Sequence, residues 1–266
     1  MRDCIFRDNR AGSGGAAWFE GRSEPLMLRC DVRNNIAGGI GGGVATDLFA
    51  DVTLRDCVIE FNRSSSGGGV CLCASGGVVE GCTISRNTAT FGGGLAMLSC
   101  IGVRLSESSI VGNLAGASGG GVYASDSDYI VLDSLVSNNA SHGSGGAAWM
   151  LGSEATFERS SVLANDSTSS PGGLLLDGSM LLLTGGRVSG NGVAIACVSG
   201  SGAEADARGN WWGHASGPLS DRDNPEGLGN EVGECVLFDP WLVIDAFEKD
   251  RAELTTSWTG LKRMDW

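Results

Sequence analysis

Apolar and polar positions along residues 1–192 repeat with a near-constant period, and an Asn marks it. That Asn stands at 9, 35, 62, 87, 113, 139, 165 and 191, with intervals of 25 to 27 residues. Three positions before each Asn lies a large apolar residue: Phe6, Val32, Ile59, Ile84, Ile110, Val136, Val162 and Val188. Five before lies a small one: Cys4, Cys30, Cys57, Cys82, Ser108, Ser134, Ser160 and Gly186. Eight before lies another apolar residue, from Met1 and Met27 through Leu54, Val79, Leu105, Val131 and Phe157 to Leu183. Downstream of each Asn, a polar turn and a Gly pair lead into Ala16, Val44, Val70, Leu95, Val122, Ala147 and Leu174. Two residues further stand Trp18, Thr46, Leu72, Met97, Ala124, Trp149 and Leu176.

Within each unit the apolar residues fall two apart, which is the period of a strand with one face buried. Helical spacing is absent, and a Gly pair in every unit opposes helix. A unit of this length holding three short strands predicts one coil of a right-handed parallel β-helix. Successive coils then pair in register about 4.8 Å apart, so like residues stack on like. An inward Asn is tolerated in such a stack because its amide can bond the turn backbone and the Asn above and below. A leucine-rich solenoid needs several Leu at fixed offsets, and propeller blades are longer and more aromatic; neither pattern is present.

The expected architecture is therefore one elongated all-β solenoid of about eight coils over residues 1–192. A closing segment over 193–242 and a charged tail over 243–266 follow. In the closing segment, NWWGHASGPLSDRDNPEGLGNEVGECVLFDPWL from Asn210 to Leu242 breaks the period. One of its adjacent Trp residues is expected to cover the open end of the stack. Val232, Val236 and Phe238 are expected to supply a closing strand. At the other end nothing precedes Met1, Phe6, Ala16 and Trp18 to cover the first coil. This predicts that the chain belongs to a longer protein whose upstream coils and leader lie elsewhere, or that two chains associate end to end through this uncapped coil.

Charge narrows the partners. The chain carries a net charge of −13 and only two Lys, Lys249 and Lys262. Nucleic acid and anionic membrane are poor partners for such a surface. No apolar run is long enough to span a bilayer, and MRDCIF has no apolar signal region. Of nine Cys, four (Cys4, Cys30, Cys57, Cys82) fall in the small inward column. They read as a ladder of buried thiols, since a linear stack does not converge tetrahedrally on a metal. Cys71 and Cys73 flank inward Leu72 and should point outward as a C-x-C pair. The sequons at Asn62, Asn139 and Asn165 each begin at the repeat Asn, so inward stacking is favoured over glycosylation.

The closing pattern NWWG…GP…NP…G…V…F…PWL resembles the C-terminal segment of many bacterial and archaeal right-handed β-helix repeat proteins. The aliphatic-x-x-Asn and Gly-Gly-small repeats are similar to those of polymorphic outer-membrane autotransporter passengers. The resemblance implies the pectin-lyase-like superfold and an extracytoplasmic setting, secreted or at the cell surface. It implies no single activity, because lyases, hydrolases, epimerases, adhesins and copper-processing accessory proteins share this superfold. The chain departs from the autotransporters in showing no C-terminal membrane barrel.

In β-helix carbohydrate enzymes, catalytic groups project outward from one strand face. Here that face holds Asp31 and Glu60, one coil apart and two residues offset, hence about 8 Å apart. That separation falls within the roughly 6.5–9.5 Å of an inverting glycosidase pair. Arg7 and Arg33 beside them would bind a uronate carboxylate, with Thr83 and Ser85 as further substrate contacts. The opposing reading is that Asp, Glu and Arg on an exposed strand face are cross-strand ion pairs. His142 reads as a turn residue and His214 as part of the closing motif. Glu20, Asp47, Asp126 and Asp177 recur too irregularly to define a Ca²⁺ site, and no metal or cofactor is expected. The first expectation is a non-enzymatic β-helix scaffold, adhesin-like or glycan-contacting; the second is a polysaccharide hydrolase or lyase working at Asp31 and Glu60.

Overall fold

In the computed structural model, residues 1–245 are described; the tail expected beyond 243 lies almost wholly outside them. Every strand pairing is parallel, and there is no helix among the described residues. Each coil contributes one strand to each of three long sheets. Sheet I has eight strands, from Ile5–Arg7 to Arg187–Ser189. Sheet II has nine, from Ala17–Phe19 to Glu231–Val232. Sheet III has nine, from Leu26–Leu28 to Val236–Leu237. A short four-stranded sheet and a two-stranded one lie in the turn between sheets I and II.

The strands of sheet I are only three residues long because each is bracketed by residues in the left-handed region. Asp3 (φ 53), Arg29 (φ 51) and Asp56 (φ 53) precede the small column, and Asp8 (φ 59), Asn34 (φ 56) and Phe61 (φ 57) precede the Asn. A left-handed L-residue costs about 1–2 kcal/mol, so the stack must offset these corners. Its interior does so with apolar columns: Val32, Ile59, Ile84, Ile110, Val136, Val162 and Val188 are all buried. Three hydrogen-bonded ladders run beside them.

The first ladder is the Asn column. Asn35 Oδ1 accepts the Asn9 backbone N–H at 3.1 Å, and Asn35 Nδ2 donates to Phe6 O at 3.0 Å and to Asn62 Oδ1 at 3.0 Å. The same set repeats through Asn191, whose partner above is Asn230. Because the amides of Asn62, Asn139 and Asn165 are buried and used this way, the sequons are structural. The second ladder is the small column. The backbone N–H of Cys30 donates to Cys57 Sγ and that of Cys57 to Cys82 Sγ, each at 3.4 Å; Cys82 N–H then donates to Ser108 Oγ at 3.0 Å. Cys4, Cys30, Cys57 and Cys82 are free thiols, and burial pushes the Cys30 thiol up. A third ladder, not anticipated from the sequence, runs through Cys100, Ser127, Ser153 and Ser179.

The structure corrects the register at two places. Ala17 and Phe19 pair with Val44 and Thr46, so Trp18 points outward. Likewise Ala148 and Met150 pair with Leu174 and Leu176, so Trp149 points outward. The inward residue follows the positive-φ Gly of each turn by three: Gly41 precedes Val44, Gly14 precedes Ala17 and Gly145 precedes Ala148. Ala16 and Ala147 fill the third turn position that Gly occupies in the other coils, and counting from a Gly pair misplaced them by one. The second position admits no side chain: a Cβ on Gly42 would lie 2.3 Å from Gly68 O.

The closing segment packs on the last coil and differs from the expectation in its strands. Trp212 is fully buried and caps the last layer, whereas Trp211 is only partly covered. Asn210 continues the small column by accepting the Gly186 N–H at 2.8 Å. Val232 and Val236 fall in two short strands, one added to sheet II and one to sheet III, rather than in a single strand.

Candidate functional site

Strands Asp31–Arg33, Val58–Glu60 and Thr83–Ser85 of sheet I bring the sequence-predicted residues to one outward face. Their register places Asp31 opposite Val58, Arg33 opposite Glu60, and Glu60 opposite Ser85. The two carboxylates are therefore offset as expected, but Arg33 stands between them. Its Nε donates to Asp31 Oδ1, and its Nη1 lies 2.9 Å from Glu60 Oε1. Arg86 Nη1 lies 3.6 Å from Glu60 Oε2, and Ser85 Oγ donates to that oxygen at 3.5 Å. The Asp31 carboxylate beside Arg33 holds its guanidinium pKa above the ordinary value. Arg86 also lies over the Phe61 ring, 5.5 Å from its centroid.

This geometry constrains the chemistry. An inverting pair needs a gap between acid and base that admits a water and the glycosidic bond. Here one guanidinium fills that gap and binds both carboxylates. The Glu60 side chain is 12% exposed. Ser85 is outward but buried, whereas Thr83 is exposed. Arg7 is exposed and stands opposite Arg33, so two like charges adjoin in register. Of the six residues, Asp31, Arg33, Glu60 and Ser85 form one bonded cluster, while Arg7 and Thr83 lie at its edges.

The remaining sequence candidates are dispersed. His142 is exposed in its turn. His214 Nδ1 bonds Ser216 Oγ at 2.9 Å and accepts the Ser216 backbone N–H at 3.2 Å, a local role within the closing turn. Among the described residues no three His, Cys, Asp or Glu side chains converge as metal ligands.

Two surface features escaped the sequence reading. On the outer side of sheet II, Tyr123 and Trp149 pack at 5.5 Å between ring centroids, and Phe91 of the short sheet joins them at 5.3 and 6.4 Å. All three are partly exposed. Counting the strand from the positive-φ Gly would have revealed Trp149, and Tyr123 lies between inward Val122 and Ala124. The second feature is a groove of about 560 Å³ on sheet III near the C-terminal coils, lined by Glu154, Met180, Leu182, Glu204 and Leu237 among others. A disulfide, Cys197–Cys235, ties the last full coil to the closing segment. Its signal was available, because these are the two Cys that follow Cys100.

The solenoid, its in-register ladders and its capped end define a parallel β-helix protein. The right handed beta helix region family matches residues 1–110 and 64–211, and the chain belongs to that family. No curated protein matches the chain. It is similar to the solved structure of a trypsin-treated form of QnrB1, a plasmid-mediated fluoroquinolone resistance protein. That similarity is 14% in identity and covers 100% of this chain and 98% of that one, at a TM-score of 0.30. No helix of the described residues is long and apolar enough to cross a membrane.

Proposed function

We propose that this β-helix is a non-enzymatic scaffold whose outer surface contacts glycans, in the manner of an extracytoplasmic adhesin module. The observation that carries the reading is the closed charge cluster on sheet I. Asp31, Arg33, Glu60 and Arg86 satisfy one another, so the carboxylate pair of this face is engaged rather than poised for acid–base work on a glycosidic bond. The contact surface is assigned to Phe91, Tyr123 and Trp149. Tyr123 offers an apolar face and a polar hydroxyl and Trp149 an apolar face, its indole N–H being buried, and a pyranose offers apolar C–H faces and polar hydroxyls. Ser118, Ser144 and Thr168 lie on the same turn surface as hydrogen-bonding neighbours. The Cys197–Cys235 disulfide supports an oxidising setting outside the cytoplasm.

A glycan array probed with the full chain and with Trp149→Ala tests the assignment. Binding to a defined set of oligosaccharides is expected, with loss in Trp149→Ala and retention in Glu60→Gln. No binding by the unsubstituted chain, or equal binding by Trp149→Ala, contradicts it.

A further inference from the structure

The C-x-C pair of Leu72's strand is not used by any feature described so far. Cys71 and Cys73 lie on the outer side of sheet II, two residues apart, with their Sγ atoms 3.7 Å from each other. Cys71 is fully buried, and its register neighbours are Ala45 and Ala96. Cys73 is partly exposed at the end of the strand. Solvent therefore reaches one thiol, and the second lies directly behind it.

We propose that Cys71 and Cys73 form a thiol–disulfide exchange site, with Cys73 the attacking thiolate and Cys71 the resolving thiol, for small disulfides such as glutathione disulfide. In the first step the Cys73 thiolate attacks one sulfur of the external disulfide, forms a mixed disulfide and releases one thiolate. In the second step Cys71, passing its proton to the thiolate released in the first, attacks Cys73 Sγ and expels the other thiolate. The net change is one external disulfide reduced to two thiols and two protein thiols oxidised to one disulfide. The inference is independent of the glycan reading.

Three observations support these roles. The first is the asymmetry of access, which admits the external disulfide only to Cys73. The second is electrostatic: a hydrogen bond from Cys71 holds the Cys73 thiol below its ordinary pKa, opposed in part by its own partial burial and by the nearby Asp47 carboxylate, and the same bond with burial raises that of Cys71. A lowered pKa favours the nucleophile. The third is backbone reach. Two steps along a strand span about 6.6–6.8 Å, the upper limit of the roughly 4.4–6.8 Å between Cα atoms that a disulfide bridges. The bond can close, but strained, so the resting equilibrium lies toward the two thiols and an excess of the external disulfide is what drives it shut. The stacked thiols of Cys30, Cys57 and Cys82 are also near neighbours, yet they sit inside the coil where no external disulfide can enter.

Peptide mapping of the native chain after incubation with glutathione disulfide tests the proposal. Cleavage after Arg63 and Arg86 isolates a peptide that holds Cys71, Cys73 and buried Cys82. The expected product has lost two hydrogens, keeps Cys82 as its single alkylatable thiol and carries no glutathione. In Cys71→Ser a stable glutathione adduct on Cys73 is expected; in Cys73→Ser, no reaction. On addition of graded dithiothreitol the Cys71–Cys73 bond should open before Cys197–Cys235. A lasting adduct on Cys73 in the unsubstituted chain would overturn the resolving role. Absence of any reaction in the native chain, or opening of Cys197–Cys235 first, would overturn the proposal itself.

Discussion

Replacing Asn113 by Ala tests the Asn ladder near the middle of the stack. Asn113 Oδ1 accepts two hydrogen bonds from Asn87, one from the backbone N–H at 2.9 Å and one from Nδ2 at 3.1 Å. Its Nδ2 donates to Ile84 O and to Asn139 Oδ1, both at 3.0 Å. The residue is 1% exposed, so water cannot replace these partners without opening the coil. Ala leaves the Asn87 N–H without this acceptor and removes a donor from Ile84 O. Each buried group left unpaired costs about 1–3 kcal/mol, which for these two gives a loss of about 2–6 kcal/mol. Asn9 supplies the contrast. It is exposed at the start of the ladder, and its side chain only donates, to Asn35 Oδ1 at 2.8 Å. Asn9→Ala should cost about 1 kcal/mol or less. Urea unfolding of both variants at 25 °C, read by circular dichroism, gives the two values. Equal costs would refute the ladder as a source of stability. A double variant of Asn87 and Asn113 should lose less than the sum of the singles, since the two share bonds.

Further outcomes follow from the columns and caps. Ile84→Asp places a charge in the dry interior and should abolish cooperative unfolding, whereas Thr83→Asp, outward and exposed, should melt within about 0.5 kcal/mol of the parent; similar losses for both would put the inward register wrong by one residue. Trp212→Ala should cost about 3–5 kcal/mol, and hydrogen exchange should show the loss concentrated in the last coils near Val188 and Ile195 rather than spread along the solenoid. The forked bond from Arg159 holds the exposed Asp133 carboxyl below the ordinary carboxylate range. A depressed pKa gives stability that is present above the ordinary value and is lost as pH falls through the depressed one. Asp133→Asn should therefore melt slightly below the parent at pH 7 and level with it at pH 2, and an equal gap at both would contradict the pairing.

Most of the fold was legible because like residues stack on like. Eight Asn at a near-constant interval, each with an apolar residue three before, fix sheet I and its inward face without reference to any other contact. The errors came where the turn between Asn and the next strand changes composition. Ala16 and Ala147 look like core residues, but they fill a turn position that Gly fills elsewhere, and this moved Trp18 and Trp149 to the wrong side. The aromatic cluster of Phe91, Tyr123 and Trp149 was hidden by that slip, and also because Phe91 belongs to a different sheet. The ladder through Cys100 and Ser127 was overlooked because it lies beyond the strand that followed the Gly turn, outside the columns counted from the Asn. At the candidate site the residues and their offset were readable, but the position of the Arg33 side chain was not. Only the structure shows the guanidinium lying between Asp31 and Glu60 rather than beside them.

The central proposal is that this charged face holds the coils together rather than acting on a substrate. The direct measurement is release of reducing ends and of unsaturated uronates from a panel of neutral and acidic polysaccharides, by the unsubstituted chain and by Asp31→Asn and Glu60→Gln. The account predicts no release above background from any of the three, together with a lower urea midpoint for Glu60→Gln, whose loss leaves Arg33 and Arg86 without that carboxylate. Turnover by the unsubstituted chain that disappears in either variant would contradict it.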